Sequence, residues 1–185
     1  SLISSLLHEN ILSYAFEPST KNLNIISTNI SINKFEKKII MCPLPLSNTN
    51  FDINIMNEKI NEEGKASNFF DNMNDIDLNF KYSTLGISID YLVDNKIFKT
   101  PDYIKIDTDG QERFILDGAK QLIKSNDIQE IQIELTDNTE DMRYCLSTLK
   151  KNNFKIIKKF RERKYTNIKK HENLFNYRLK KIINE

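Results

Sequence analysis

The stretch Asp102–Gly118, DYIKIDTDGQERFILDG, decides how the rest of the chain is read. Tyr103, Ile104 and Ile106 form a short apolar run broken by Lys105, and the run ends at Asp107. A parallel strand buried on both faces has this composition, provided the lysine inside it finds a partner. The expected partner is Glu134 on the next strand, which makes Lys105–Glu134 a buried pair. Asp109-Gly110 turns the chain, and Asp109 and Glu112 have the three-residue spacing of a capping box. Ile115, Leu116, Ala119, Leu122 and Ile123 then recur at helical spacing. The segment is therefore strand, acidic turn, helix, and it gathers carboxylates at the carboxyl end of a strand, where open α/β sheets bind ligands. Asp109 and Glu112 have an alternative reading as helix caps only. Asp107 is harder to treat as structural, because a carboxylate ending an apolar strand is costly to bury without a role.

Outward from that stretch the chain alternates strands and helices. Leu2, Ile3, Leu6 and Leu7 fit a helix without a cap, so Ser1 reads as the middle of an element. Ile11–Phe16 is an apolar strand ending at Glu17-Pro18. Ser19 caps a helix whose Leu23, Ile26 and Ile30 share a face and which ends near Asn33. Ile39–Cys42 is the next strand, stopped by Pro43 and Pro45. From Ser47 to about Phe80 Asn and Asp dominate. Phe51, Ile53 and Ile55 alternate like an edge strand, and the remainder reads as a long surface loop or, with Phe69-Phe70, as a substrate-facing lid. Ile128–Leu135 is a strand with one polar face, and Asp137 with Glu140 repeats the box spacing ahead of a helix carrying Met142, Cys145, Leu146 and Leu149. Phe154–Phe160 and Leu174–Leu179 pair as a terminal hairpin across a basic connection. Strand–helix alternation closed by a hairpin predicts a Rossmann-like, doubly wound, mostly parallel α/β sheet with an antiparallel carboxyl-terminal edge.

Composition narrows the function. The 185 residues, 1–185, make a single domain by length. Lys and Arg number 27 against 26 Asp and Glu, a balance that does not favour a nucleic-acid partner. The basic hairpin connection lacks the aromatic platform that single-strand binding needs. Cys42 and Cys145 stand far apart in apolar runs and read as two buried thiols in a reducing compartment. His8 and His171 are isolated and no zinc spacing occurs, so no metal is expected. A divalent cation on Asp107, Glu134 and Asp137 has no spacing rule behind it. No apolar run is long enough to span a bilayer, which makes cytoplasmic the default; oligomeric state is not readable.

Four features in series carry a family resemblance. Lys105–Ala119, K-I-D-T-D-G-Q-E-R-F-I-L-D-G-A, resembles the signature of FkbM-type S-adenosylmethionine-dependent methyltransferases, whose usual form is K-I-D-V-E-G, then an acidic residue and L-x-G-A. Tyr14–Pro18, Y-A-F-E-P, followed by Asn22, Asn29 and Asn33, is a second match. Asp90 in S-I-D-Y-L and Glu134 in I-Q-I-E-L are similar to acidic residues before and after the signature strand. The matches run in family order from about Tyr14 to Leu135. The resemblance implies O-methylation of a hydroxyl on a sugar, glycan or secondary metabolite, with S-adenosylmethionine as cofactor. It places Glu17 on the cofactor ribose with Pro18 beside it, and Asp107 at the reacting methyl as cofactor contact and base. Asp109 and Glu112 are second choices for the base. The glycine loop D-x-G-A-N-x-G is absent: Gly occurs only at 64, 86, 110 and 118. The expectation is a domain whose first strand and glycine loop precede Ser1, binding cofactor weakly without them. A non-catalytic binding module and a nicotinamide-binding oxidoreductase are the alternatives, the second because Glu17 suits any adenine ribose.

Overall fold

The computed structural model describes residues 1–59, 79–108, 110–161 and 172–183. The chain forms two compact units, one of residues 1–46 and 51–86, the other of residues 47–50 and 87–185.

In the first unit, α1 (Leu2–Leu7) precedes β1 (Ser13–Phe16), α2 (Thr20–Ile32) and β2 (Ile39–Cys42). β1 and β2 are parallel neighbours, Ser13 against Ile39 through Phe16 against Cys42. The Ser19 hydroxyl accepts the Asn22 N–H and starts α2, as its residue type predicts. Ile30 is buried on the face that Leu23 and Ile26 share. The strand expected from the Phe51, Ile53 and Ile55 alternation is β3 (Ile53–Lys59), and it pairs antiparallel with an unexpected β4 (Asn79–Leu85), Ile53 opposite Leu85; the expected loop between them lies outside the described residues. β4 escaped the sequence reading because N-F-K-Y-S-T-L is half polar and its partner strand is distant in sequence. Phe69-Phe70, the expected lid, lies outside the described residues. Met56 is buried, and the Tyr82 hydroxyl donates to the Pro18 carbonyl at 2.6 Å, so one face of this hairpin packs within the unit.

The second unit comprises α3 (Ile89–Asp94), β5 (Tyr103–Ile106), α4 (Glu112–Asp117), α5 (Lys120–Lys124), β6 (Glu130–Thr136), α6 (Glu140–Lys151), β7 (Phe154–Phe160) and β8 (Leu174–Lys181). Its four-stranded sheet has the order β5-β6-β8-β7; β5 and β6 are parallel, and β8 lies antiparallel between β6 and β7. The terminal hairpin is therefore not simply appended at the edge: its second strand sits inside and β7 forms the border. Ile131, Ile133 and Leu135 of β6, with Tyr177 and Leu179 of β8, form one buried face beneath Leu116, Ile123, Cys145 and Leu149. The buried Lys181 reaches the carboxyl end of α5, donating to the Ile123 carbonyl at 2.7 Å. Mixed α/β architecture is thus shown, as three small sheets among the described residues. No helix among the described residues is long and apolar enough to cross a membrane.

Four local expectations need correction. The helix after the acidic turn is two helices, broken at Gly118-Ala119. A side chain at Gly118 would place its Cβ 2.0 Å from the Ser47 carbonyl oxygen, so the chain crosses itself here and only glycine fits. α4 begins at Glu112 itself, with Gln111 at its N-cap, so Glu112 is not the third helical residue that a capping box requires. α6 is capped by Thr139, whose hydroxyl accepts the Met142 N–H, not by Asp137. Lys105 does not bridge to Glu134. Its ammonium lies 2.6 Å from Asp107 on its own strand, with both side chains well exposed, 53% and 38%. The strand is open on that face, so the lysine needs no buried partner. Lys105→Met should therefore change the unfolding free energy in urea by less than about 1 kcal/mol, the range of exposed pairs. A loss of roughly 3–5 kcal/mol would mean a buried pair after all.

Candidate active site

At the end of β5 the backbone delivers Asp107 and Thr108 into a turn. Asp107 is exposed rather than buried, with Oδ2 held by the Lys105 ammonium. The Thr108 hydroxyl donates to Glu112 Oε1 at 2.9 Å, and the Gly110 N–H donates to the same oxygen at 3.3 Å. Gly110 has φ +95°, a left-handed conformation that glycine adopts without strain. Glu112 is thus a buried carboxyl that reaches back from the first turn of α4 and fixes the turn carrying Asp107. Burial pushes its pKa up from the ordinary value, while the bonds from Thr108 and Gly110 work the other way. Asp109 lies outside the described residues.

The end of the next strand carries a second polar assembly. Glu134 is buried in the sheet, and its Oε1 accepts from Asn176 Nδ2 at 2.9 Å; Asn176 in turn accepts from Gln132 Nε2 at 2.8 Å. Asp137, one residue beyond β6, accepts from the Tyr177 hydroxyl and pairs with Lys159 at 2.5 Å. Burial opposes the Asp137 charge, but Lys159 and Tyr177 outweigh it and hold the carboxyl below its usual range. Among the described residues no three His, Cys, Asp or Glu side chains are grouped to hold a metal ion.

Glu17 and Pro18 belong to the first unit. Glu17 ends β1, and its two oxygens accept from the Ser19 N–H at 2.8 Å and Asn22 Nδ2 at 3.2 Å. The first helical turn thereby orients the carboxylate, and the Pro18 carbonyl is held by Tyr82. Both cysteines are free thiols; burial pushes Cys42 up to about 11 and Cys145 to about 12, so neither is a thiolate nucleophile at neutral pH.

An acidic residue thus ends a parallel strand in each unit, Glu17 within Y-A-F-E-P and Asp107 within K-I-D-T-D-G. The family model for the methyltransferase FkbM domain matches residues 6–165, most of the chain. The chain belongs to the FkbM methyltransferase family. Among solved structures, a methyltransferase FkbM from Methylobacillus flagellatus KT is similar in fold, with a TM-score of 0.56 at 13% identity. The match covers 89% of this chain but 36% of that one, so this FkbM chain spans about a third of its length. No curated protein matches significantly.

Within the FkbM signature the structure brings Thr108, Gly110 and Glu112 together and leaves Asp107 outside their network, on Lys105. Thr108 and Asn176 were missed by sequence reasoning. Thr108 had a signal, the four-residue spacing to Glu112 across a turn; Asn176 had none, since its partner lies 42 residues away. Asp90 proves to be a tertiary cap: its carboxylate accepts the Gln121 and Leu122 N–H groups of α5 at 2.8 and 2.9 Å.

The Glu112 environment predicts a pH signature. A carboxyl whose folded pKa is raised contributes stability that is greatest below its unfolded value and is lost as pH rises through the folded one. Glu112→Gln keeps the acceptor oxygen and removes the charge. The variant should be at least as stable as the parent at neutral pH, and the two should converge on acidification toward the ordinary carboxylate range. Urea unfolding across that range checks this; a parent more stable by over about 1 kcal/mol at neutral pH would show that the bonds outweigh burial.

Proposed function

We propose that this FkbM-family protein acts as an S-adenosylmethionine-dependent O-methyltransferase on a hydroxyl of a sugar, glycan or secondary metabolite. The observation that carries this reading is Glu17, a carboxylate ending a parallel strand and oriented by the helix after it. A carboxylate is an acceptor with about four positions, a chemical match for the vicinal diol of a ribose. The Rossmann-like reading of the sheet belongs to the same proposal. It is supported by strand–helix–strand units with parallel pairing at β1–β2 and β5–β6, and by the antiparallel β8.

In this mechanism S-adenosylmethionine, when bound, supplies an electrophilic methyl group on a sulfonium sulfur. Glu17 would accept the hydroxyls of the cofactor ribose. Asp107 extends from the carboxyl end of β5 with one oxygen steadied by Lys105, and it would serve as the base that accepts the proton of the acceptor hydroxyl. Glu112, through Thr108 and Gly110, holds the turn so that Asp107 stays in reach, and orientation of this kind supplies most of the rate. Asp107 is the base in this account because Glu112 is enclosed in its own turn.

Two substitutions in the full-length protein separate the roles. Glu17→Gln should weaken S-adenosylhomocysteine binding, measured by calorimetry, by about 1.5–3 kcal/mol while sparing turnover at saturating cofactor. Asp107→Asn should bind normally, and methyl transfer to a sugar-hydroxyl acceptor should fall roughly 10²- to 10⁴-fold. Equal loss of binding in both variants would make Asp107 a cofactor ligand. Unchanged turnover in Asp107→Asn would remove it from the chemistry.

A further inference from the structure

The carboxyl ends of β5 and β6 lie on the same edge of the second unit's sheet, because those strands are parallel. The start of β8 and the end of β7 lie on that edge too: Thr136 faces Leu174, and Phe160 faces Asn176. Across β6 from the Asp107 turn, at β8 and β7, this edge carries a cluster that the methyl-transfer mechanism does not use. Lys159 lies 4.2 Å from the Phe175 ring centre and the Arg161 guanidinium lies 4.6 Å from it. Lys159 is ion-paired with Asp137, which also holds the Tyr177 hydroxyl.

Two cations therefore share one aromatic ring. Lys159 has Asp137 within contact distance. Arg161 has no ion pair with a described residue, and its buried Nε–H lacks a hydrogen-bond acceptor there. Repulsion between neighbouring cations is tolerated where the aromatic face and Asp137 offset it, and the cluster keeps one net positive charge. A planar guanidinium stacked on a ring is already oriented, which favours two-point binding of a carboxylate or phosphate. The half-buried Phe175 adds apolar surface beside it, suited to a ring carrying the anion.

We infer that Lys159, Arg161 and Phe175 form a subsite for an anionic group on the acceptor, a carboxylate or phosphate borne by a sugar-like ring. This names the substrate class within the methyltransferase reading and rests on that reading for its biological meaning. Arg161 is the specificity-determining residue, and Asp137 with Tyr177 positions Lys159 beside it.

The test needs neither cofactor nor turnover. Glucuronate, inorganic phosphate and glucose are titrated into the protein, and the backbone amide resonances of Asp137, Phe175 and Tyr177 are followed by NMR. Saturable shifts with glucuronate or phosphate and none with glucose are expected; Arg161→Gln should weaken the anion at least about tenfold, the loss of a charge-assisted bond. Arg161→Lys should fall between, with an unchanged melting temperature in both variants. Glucuronate saturating where phosphate does not identifies a carboxylate source, and the reverse a phosphate source. Absence of saturable shifts, equal response to glucose, or equal affinity in folded Arg161→Gln overturns the subsite. Arg161-dependent anion binding in a full-length protein that does not bind S-adenosylhomocysteine would leave the subsite standing and defeat the methyltransferase reading. Cofactor binding without the anion response would do the reverse.

Discussion

The carboxylate of Asp90 on the amides of Gln121 and Leu122 is the contact on which the second unit's geometry depends. α5 has five residues, too few to persist without outside support, and its first N–H groups have no partner within it. Asp90 supplies both acceptors from the start of α3, 31 residues away, and its own N–H donates to the Gly118 carbonyl. Gly118 in turn admits the Ser47 carbonyl where any side chain would collide. These constraints fix where α4 ends and α5 begins, and hence how α4 presents Glu112 to the turn after β5. Tyr144 of α6, bonded to Asp117 at 2.5 Å, secures this same carboxyl end of α4.

A common physical theme links this scaffold to the site. Glu17, Asp90 and Glu112 each accept a backbone N–H at a turn or helix start, so their negative charge meets oriented amides. Such acids position the turn or helix that they cap. Asp107 differs: its partner is a lysine side chain, half exposed, which can move when an acceptor arrives. The division between acids that orient the backbone and an exposed acid available for proton transfer is what makes Asp107 the base in the proposed mechanism. The Asp137 assembly on the same sheet edge extends that logic to substrate recognition.

Much of this was legible in the residues. The strand ending at Asp107, the Ser19 cap, the apolar faces of α2 and α6 and the closing hairpin follow from periodicity and residue type, and the signature motifs point to the family. The features that escaped were non-local. Gly118 looks like one weak residue in a helix until the Ser47 carbonyl lies against it. Lys105 reads as buried until the open face of β5 is known. Asp137 has the spacing of a cap, but the stronger donors Lys159 and Tyr177 come from 22 and 40 residues away. β4 is too polar to announce itself, because only one face of its hairpin is covered. Spacing rules cannot see partners that tertiary structure supplies.

The central claim is that Glu17 recognises a ribose diol. The most direct measurement compares calorimetric affinity for S-adenosylhomocysteine and its 2′-deoxyribose counterpart, in the full-length protein and in Glu17→Gln. The account predicts that removing the 2′-hydroxyl weakens binding to the parent at least about tenfold, as loss of a hydrogen bond to a charged group does. It predicts a much smaller penalty in Glu17→Gln, because the two changes remove the same interaction. An undiminished penalty in Glu17→Gln, or none in the parent, would contradict it.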